Sequence, residues 1–395
     1  MKTKSLHQGT DWVNNLRSSI TILVIAHHAA LAYTTFASFD KTAYIRSTHA
    51  IVDVQRWKGL DVFVNFNDIF FMSLMFLIGG LFLSGSIDKK GPWRFIRDRF
   101  YRLFLPFFFG GTLLMLIAYF PSYYIAHNSL NVTDYIQDFF TVENWPVGPP
   151  WFIWVLFLFN LVFAVTYRFL HNFYTYLADK LNNVKKGIVL FLVFYLVTWI
   201  LYVPLAHNVG AGTWTGVGPF DFQLSRLLLY FGYFMLGVIL GIGRFNAHLF
   251  AAESGIARQW KTWVFFALLT FLFLTILTEY NILRDLVVSG KLKEFTAWMI
   301  YFSIYTASCV LSTIAFMTTY RKMVNSTGRI WTSLNHNAYL IYLIHFVFVT
   351  WLQFALLPVE AGASVKFMVV FVVSFFLSWG AAVLLRRVRF LGRFV

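Results

Sequence analysis

An arginine and a histidine share one face of the first apolar stretch of this chain, RSSITILVIAHH, as Arg17 and His28. Eleven residues at ~100° each make about three helical turns, which puts both side chains on one stripe ~16 Å apart. A cation at a water boundary and an acid/base group deep in an apolar run suit a ligand lying along the helix with its charged end outside. An ionisable residue in such a run is costly and by default marks a functional site. His27 lies ~100° around the helix from His28, so it faces a neighbouring helix instead. His345, in NHNAYLIYLIHFVF, comes ten residues after Asn335, ~15 Å along a helix and nearly at the depth of His28. Tyr342 stands one turn below it and Tyr339 nearly two. A neutral imidazole there takes a proton from a hydroxyl or attacks a carbonyl itself. The alternative is a pair of packing histidines satisfied by interhelical hydrogen bonds.

The most basic segment, DKKGPWRFIRDRFYR at 88–102, runs straight into the third apolar stretch. Its Arg99 and Arg102 are three apart and hence neighbours on a helix face, where guanidinium groups bind phosphates in bidentate fashion. The plainer reading is a topogenic loop that snorkels to lipid headgroups. Polar residues towards the other end are sparse: Asp61, Asn65, Asn67 and Asp68 before the second stretch, Glu143 and Trp145 before the fourth, and Asp221 before the sixth. Carboxylates, amides and indoles in this mixture line carbohydrate sites, which makes Asp68 and Trp151 candidate substrate contacts, with Tyr342 beneath them. Residues 127–149 contain neither Lys nor Arg and suit a lid. The glycine-rich NVGAGTWTGVGP (208–219) has no preceding strand and no GK[ST], so it is a loop rather than a phosphate cradle. Gly237 and Gly241 form a G-x-x-x-G that suits helix packing. His336 falls at the boundary as a headgroup contact.

The elements that carry these residues are membrane helices. The chain is 59% hydrophobic and 12% charged, with a mean hydropathy of +0.66. Soluble domains carry about 25% charged residues. Ten stretches of about twenty apolar residues are long enough to span a bilayer: 18–38, 66–87, 103–126, 150–171, 187–207, 223–243, 260–280, 296–318, 335–357 and 365–385. The expected fold is an all-α polytopic membrane protein, one domain over 1–395. With the N-terminus inside, 23 of the 32 Lys and Arg fall on the inner side, counting span-end residues with the nearer side, which sets both termini in the cytoplasm. The net charge of +15 therefore reports topology and contact with anionic lipid or an anionic cytosolic ligand, and excludes nucleic acid as the expected partner. The first stretch is too long for a signal-peptide core and lacks a cleavage site after it, so it reads as a retained span. The lone Cys309 excludes an internal disulfide framework, and no H-E-x-x-H or Cys/His spacing suggests a metal.

Taken together, these residues resemble the membrane-bound acyltransferase-3 family, bacterial enzymes that acylate extracytoplasmic glycans. The resemblance rests on the R-x10-H from Arg17 to His28 in span 1 and the R-x-x-R from Arg99 to Arg102 entering span 3. The FFMSLMFLIGG of span 2, the W-F-x-W opening span 4 (Trp151, Phe152, Trp154) and the Y-L-I-H of span 9 add to it. The single-domain layout is most similar to the glucan-modifying members, and the family's Ser-Gly in span 2 is here Gly79-Gly80. The resemblance implies a bacterial inner-membrane O-acyltransferase with no permanently bound cofactor. Its co-substrate would be cytoplasmic acyl-CoA, acetyl or succinyl, and its acceptor a sugar or glycan hydroxyl on the far side. Arg17, Arg99 and Arg102 would hold the nucleotide phosphates, His28 would act as general base or acyl carrier, and His345 would orient the acceptor or stabilise the oxyanion. A secondary transporter or flippase, using the same buried residues as a proton or substrate path, is the competing expectation.

Overall fold

Long apolar sequences without internal charge can only be satisfied as helices in lipid, and that is how this chain is built. A computed structural model describes residues 10–325 and 328–388. We label the ten long helices α1 (Asp11–Leu31), α2 (Lys58–Gly80), α3 (Pro92–His127), α4 (Trp151–Asn182), α5 (Gly187–Val209), α6 (Leu224–Ile242), α7 (Trp260–Glu279), α8 (Glu294–Met323), α9 (Arg329–Leu356) and α10 (Ala363–Leu385). Among the described residues, nine of them, α2 to α10, are long and apolar enough to cross a membrane, and the chain is an all-α polytopic membrane protein.

Helix α1 misses that threshold for a physical reason. Its 21 residues include Asp11, Asn14, Asn15, Arg17, Ser18, Ser19, Thr21, His27 and His28. Packed among α9, α2, α10 and α8, it meets protein more than lipid, so it can carry polar groups that a peripheral span cannot. The most apolar window of α2 is likewise 72% buried, against 22% for α7 and α10, so α1 and α2 form the centre and α7 and α10 the rim. Small residues let the central helices approach closely. A Cβ at Gly237 would fall 2.0 Å from the Leu77 carbonyl oxygen, and one at Gly241 2.1 Å from that of Leu81, so the G-x-x-x-G of α6 is a packing seam against α2.

The polar residues Asp61 to Asp68, expected before span 2, lie inside α2, whose first residue is Lys58. Asp61 accepts from the Thr35 backbone N–H at 2.8 Å and from its hydroxyl. The segment between α1 and α2 folds back into the bundle. Its Asp53 forms a fully buried ion pair with Lys366 of α10 at 2.7 Å, and Arg56 donates to the carbonyls of Ala32 and Thr34. Removing one member of such a pair costs about 3–5 kcal/mol. Residues 127–149 carry a short helix, Val132–Thr141, capped by the Asn131 side chain. The glycine-rich stretch forms a two-stranded hairpin, Trp214–Thr215 against Phe222–Gln223, with Trp214 opposite Gln223.

Candidate active site

Two cavities of about 500 and 510 Å³ lie along α1, one at each end of the bundle. The first is at the end where α1 begins. Three cations line it, Arg17, Arg99 and Arg386, with Asn14, Asn335 and His336 between them. Arg17 is steadied by donation to the Asn335 carbonyl at 3.1 Å, Arg99 stacks over the Phe95 ring at 5.0 Å, and Arg386 donates to the His336 carbonyl. Deeper in, the wall is mostly apolar: Met75, Ile78, Leu103, Phe152 and Leu156. Three buried polar atoms on this wall have no hydrogen-bond partner among the described residues: Arg17 Nε, Asn160 Oδ1 and the Tyr339 hydroxyl. Unpaired buried polar groups cost about 1–3 kcal/mol each, so three around one cavity fit a ligand with its own donors and acceptors.

Arg102 is exposed and lines neither cavity. An unbroken α-helix would have kept it beside Arg99. Instead α3 widens into π-helical turns at Phe100–Phe104 and Pro106–Gly111, because Pro106 removes a backbone N–H from the ladder. Across the wider turn Arg102 lies at the surface while Arg99 lines the cavity. Arg386, at the end of α10, supplies the third cation. His336, expected as a headgroup contact, lines this cavity.

The second cavity holds the histidines. His28 and His27 open onto it, together with His49, Asp68, Trp151, Trp214, Asp221 and Tyr230. His345 is fully buried directly behind His28, with its Nε2 3.3 Å from His28 Nδ1. The matched depths read from the sequence thus bring the two rings into contact, although only His28 faces the cavity, and that cavity does not contain Arg99. The hydrogen bonds fix the tautomers. Tyr342 O, a pure acceptor 2.6 Å from His345 Nδ1, requires a proton there, which leaves a lone pair on His345 Nε2. His28 Nδ1 faces that lone pair and the Val24 carbonyl at 2.8 Å, so it carries the proton. His28 Nε2 is left as a free base on the cavity side. When it takes up a proton, His345 and Val24 stabilise the imidazolium, the same division of labour as in a base and its orienting partner.

Around this base the wall is aromatic and acidic. Trp151 meets Trp214 edge to face at 5.4 Å and Tyr230 at 5.7 Å. Asp68 receives a bidentate grip from the buried Arg226 at 2.8 and 2.5 Å, which holds its carboxylate in place. Arg226 escaped the sequence reading because it opens α6, remote in the chain from Asp68. Asp221 is pushed above the usual carboxylate range by burial. Glu143, buried in the 127–149 segment, accepts from the Tyr44 and Ile45 N–H groups at 2.9 and 2.5 Å and so pins the 44–48 strap over the cavity. Burial pushes its carboxyl up to about 7 despite those two hydrogen bonds.

Tyr342 lines both cavities. Its hydroxyl donates to the Pro149 carbonyl, which closes the wall between them. The neighbouring Gly148 has φ +52°, and a Cβ there would meet the Met115 sulfur at 2.4 Å, so only glycine suits this turn.

A bundle of membrane helices with two cavities and a pair of oriented imidazoles beside one of them fits an integral membrane enzyme. A family model described as an acyltransferase domain matches residues 10–387. The chain belongs to this acyltransferase-3 family and is a membrane acyltransferase. No curated protein and no solved structure matches it.

Proposed function

We propose that the protein transfers an acyl group, acetyl or succinyl, from cytoplasmic acyl-CoA to a sugar hydroxyl on the opposite side of a bacterial inner membrane. The observation that carries this reading is the His345–His28 pair, whose free Nε2 faces the aromatic and acidic cavity while Tyr342 separates it from the cationic one. The nucleotide phosphates lie among Arg17, Arg99 and Arg386 and the pantetheine arm follows the apolar wall, where Asn160 and Tyr339 meet its amides. Trp151, Trp214 and Tyr230 stack on the sugar, and Asp68 and Asp221 accept from its hydroxyls. For the thioester to reach His28, the Tyr342–Pro149 hydrogen bond must open.

His28 Nε2 then takes the acceptor hydroxyl proton as the oxygen attacks the thioester carbonyl. The carbon–sulfur bond breaks and the proton passes to the departing thiolate, so the histidine ends neutral. The positive-inside distribution supports this assignment of sides.

Protein reconstituted in lipid is incubated with acetyl-CoA or succinyl-CoA and a glycan acceptor, and free thiol release and acylated product are measured. His28→Ala lowers kcat by about 10²–10⁴-fold, the worth of a general base. Arg17→Ala chiefly raises KM for the acyl-CoA, by about tenfold or more, as loss of a charged hydrogen bond does. Full turnover in His28→Ala would remove the proposed mechanism.

A further inference from the structure

We infer that His49 holds the hydroxyl next to the one being acylated, so that the acceptor is a vicinal diol and His49 selects which of its oxygens reacts. The inference rests on reading His28 as the base and the surrounding cavity as the acceptor site. His49 comes from the segment between α1 and α2 that folds back into the bundle, and its ring lines the His28 cavity. The two ring centres are 6.3 Å apart, and Phe346 packs edge-on against both at 5.4 Å.

The protonation state of His49 follows from a chain of hydrogen bonds. Gln353 of α9 gives its amide N–H groups to the carbonyls of His28 and Ala29, at 3.0 and 3.2 Å. Its oxygen therefore points the other way, towards His49 Nε2 at 2.9 Å, and that nitrogen must be the donor. His49 Nδ1 is left with a lone pair. Among the described residues nothing bonds His49 Nδ1 or His28 Nε2, and neither atom is sealed inside the protein. Two imidazole lone pairs, each oriented by a separate partner, thus open on one cavity. Adjacent sugar hydroxyl oxygens stand about 3 Å apart and each reaches a nitrogen at ~2.8 Å, so one diol bridges rings at this spacing. His28 deprotonates one hydroxyl, and His49 accepts from its neighbour and keeps the ring from turning. His49 therefore acts as a positioning residue.

The test compares kcat/KM for methyl glucopyranoside with that for its deoxy analogues, each lacking one hydroxyl, with acetyl-CoA or succinyl-CoA as donor. Wild type loses about 2- to 10-fold when the hydroxyl adjacent to the acylated one is deleted, the worth of one neutral hydrogen bond. His49→Gln keeps the donor to Gln353 but not the Nδ1 acceptor, so this discrimination disappears. His49→Asn places an oxygen at the Nδ1 position and retains it. Discrimination that survives in His49→Gln but is lost in His49→Asn would overturn the inference, since His49 would then only brace Gln353. Equal use of all analogues by wild type would overturn it too. In either case an inactive His28→Ala leaves the base assignment standing, whereas an active one removes both.

Discussion

A histidine inside a membrane protein is informative only once its proton is located. At His28 the location follows from two carbonyls and a second imidazole. Tyr342 O forces the His345 proton to Nδ1, and Val24 O with His345 Nε2 forces the His28 proton to Nδ1. The expected consequence is that His345→Gln, whose amide oxygen can stand at the Nε2 position, retains more activity than His345→Asn, which cannot reach it. Both should leave the KM for acyl-CoA near wild type and change kcat, which steady-state kinetics separates. A second residue-scale expectation concerns pH. The Glu143 carboxyl is raised from its ordinary 4.5 to about 7 in the folded protein, so folding favours its protonated form. Its contribution to stability is fully present below pH 4.5 and is lost as pH rises towards 7, by about 3 kcal/mol. Glu143→Gln cannot titrate, and its Tm in detergent, followed from pH 4.5 to 7.5, should fall less than that of wild type. The pairing of His28 with His345 was legible in the sequence because helical rise fixes depth. His49 was not, since it lies in an irregular segment where no periodicity says which way the chain turns.

At the scale of elements, what positions the site is where helices depart from ideal geometry or approach unusually closely. Arg17 and His28 sit on a regular helix, and the simple arithmetic of turns puts each beside a cavity, though in two different cavities at opposite ends of α1. Arg102 sits on α3 just where Pro106 widens the turn, and the same arithmetic failed there. Proline in a span announces a defect, but whether neighbours convert it into a kink or a π turn depends on tertiary packing. The seam between α2 and α6 is the opposite case, since G-x-x-x-G reads directly as close approach. With the Leu77 carbonyl oxygen 2.0 Å from a Cβ at Gly237, Gly237→Ala must push α6 away from α2. Overpacking of this kind costs about 1–3 kcal/mol. Since Met75 and Ile78 of α2, beside this seam, line the cationic cavity, the separation should disturb that cavity first. The variant is expected to unfold at lower temperature and to lose affinity for acyl-CoA before it loses affinity for the sugar acceptor. A lower Tm with both KM values unchanged would show that the seam and the site are independent.

At the scale of the whole molecule, the fold divides its chemistry between two ends. Arg17, Arg99 and Arg386 gather where α1 begins and α10 finishes, and the tryptophans and carboxylates gather at the other end. Composition already announced the membrane, and the bias of Lys and Arg gives an expected assignment of sides, because insertion acts on short flanking segments that the sequence displays openly. The partition at Tyr342–Pro149 was invisible beforehand, since it joins α9 to the turn before α4 across 193 residues. The two-sided reading makes a direct expectation about orientation. The single Cys309 is buried, so replacing it with Ser gives a background without thiols. Single cysteines are then placed at Lys185, between α4 and α5, and at Ser129, between α3 and the short helix that follows. In sealed bacterial cells a membrane-impermeant maleimide should label the cysteine at 129 and spare the one at 185, and opening the inner membrane should expose both. The reverse pattern would put the arginine cavity outside, where acyl-CoA is absent, and would require a different donor for the same histidine pair.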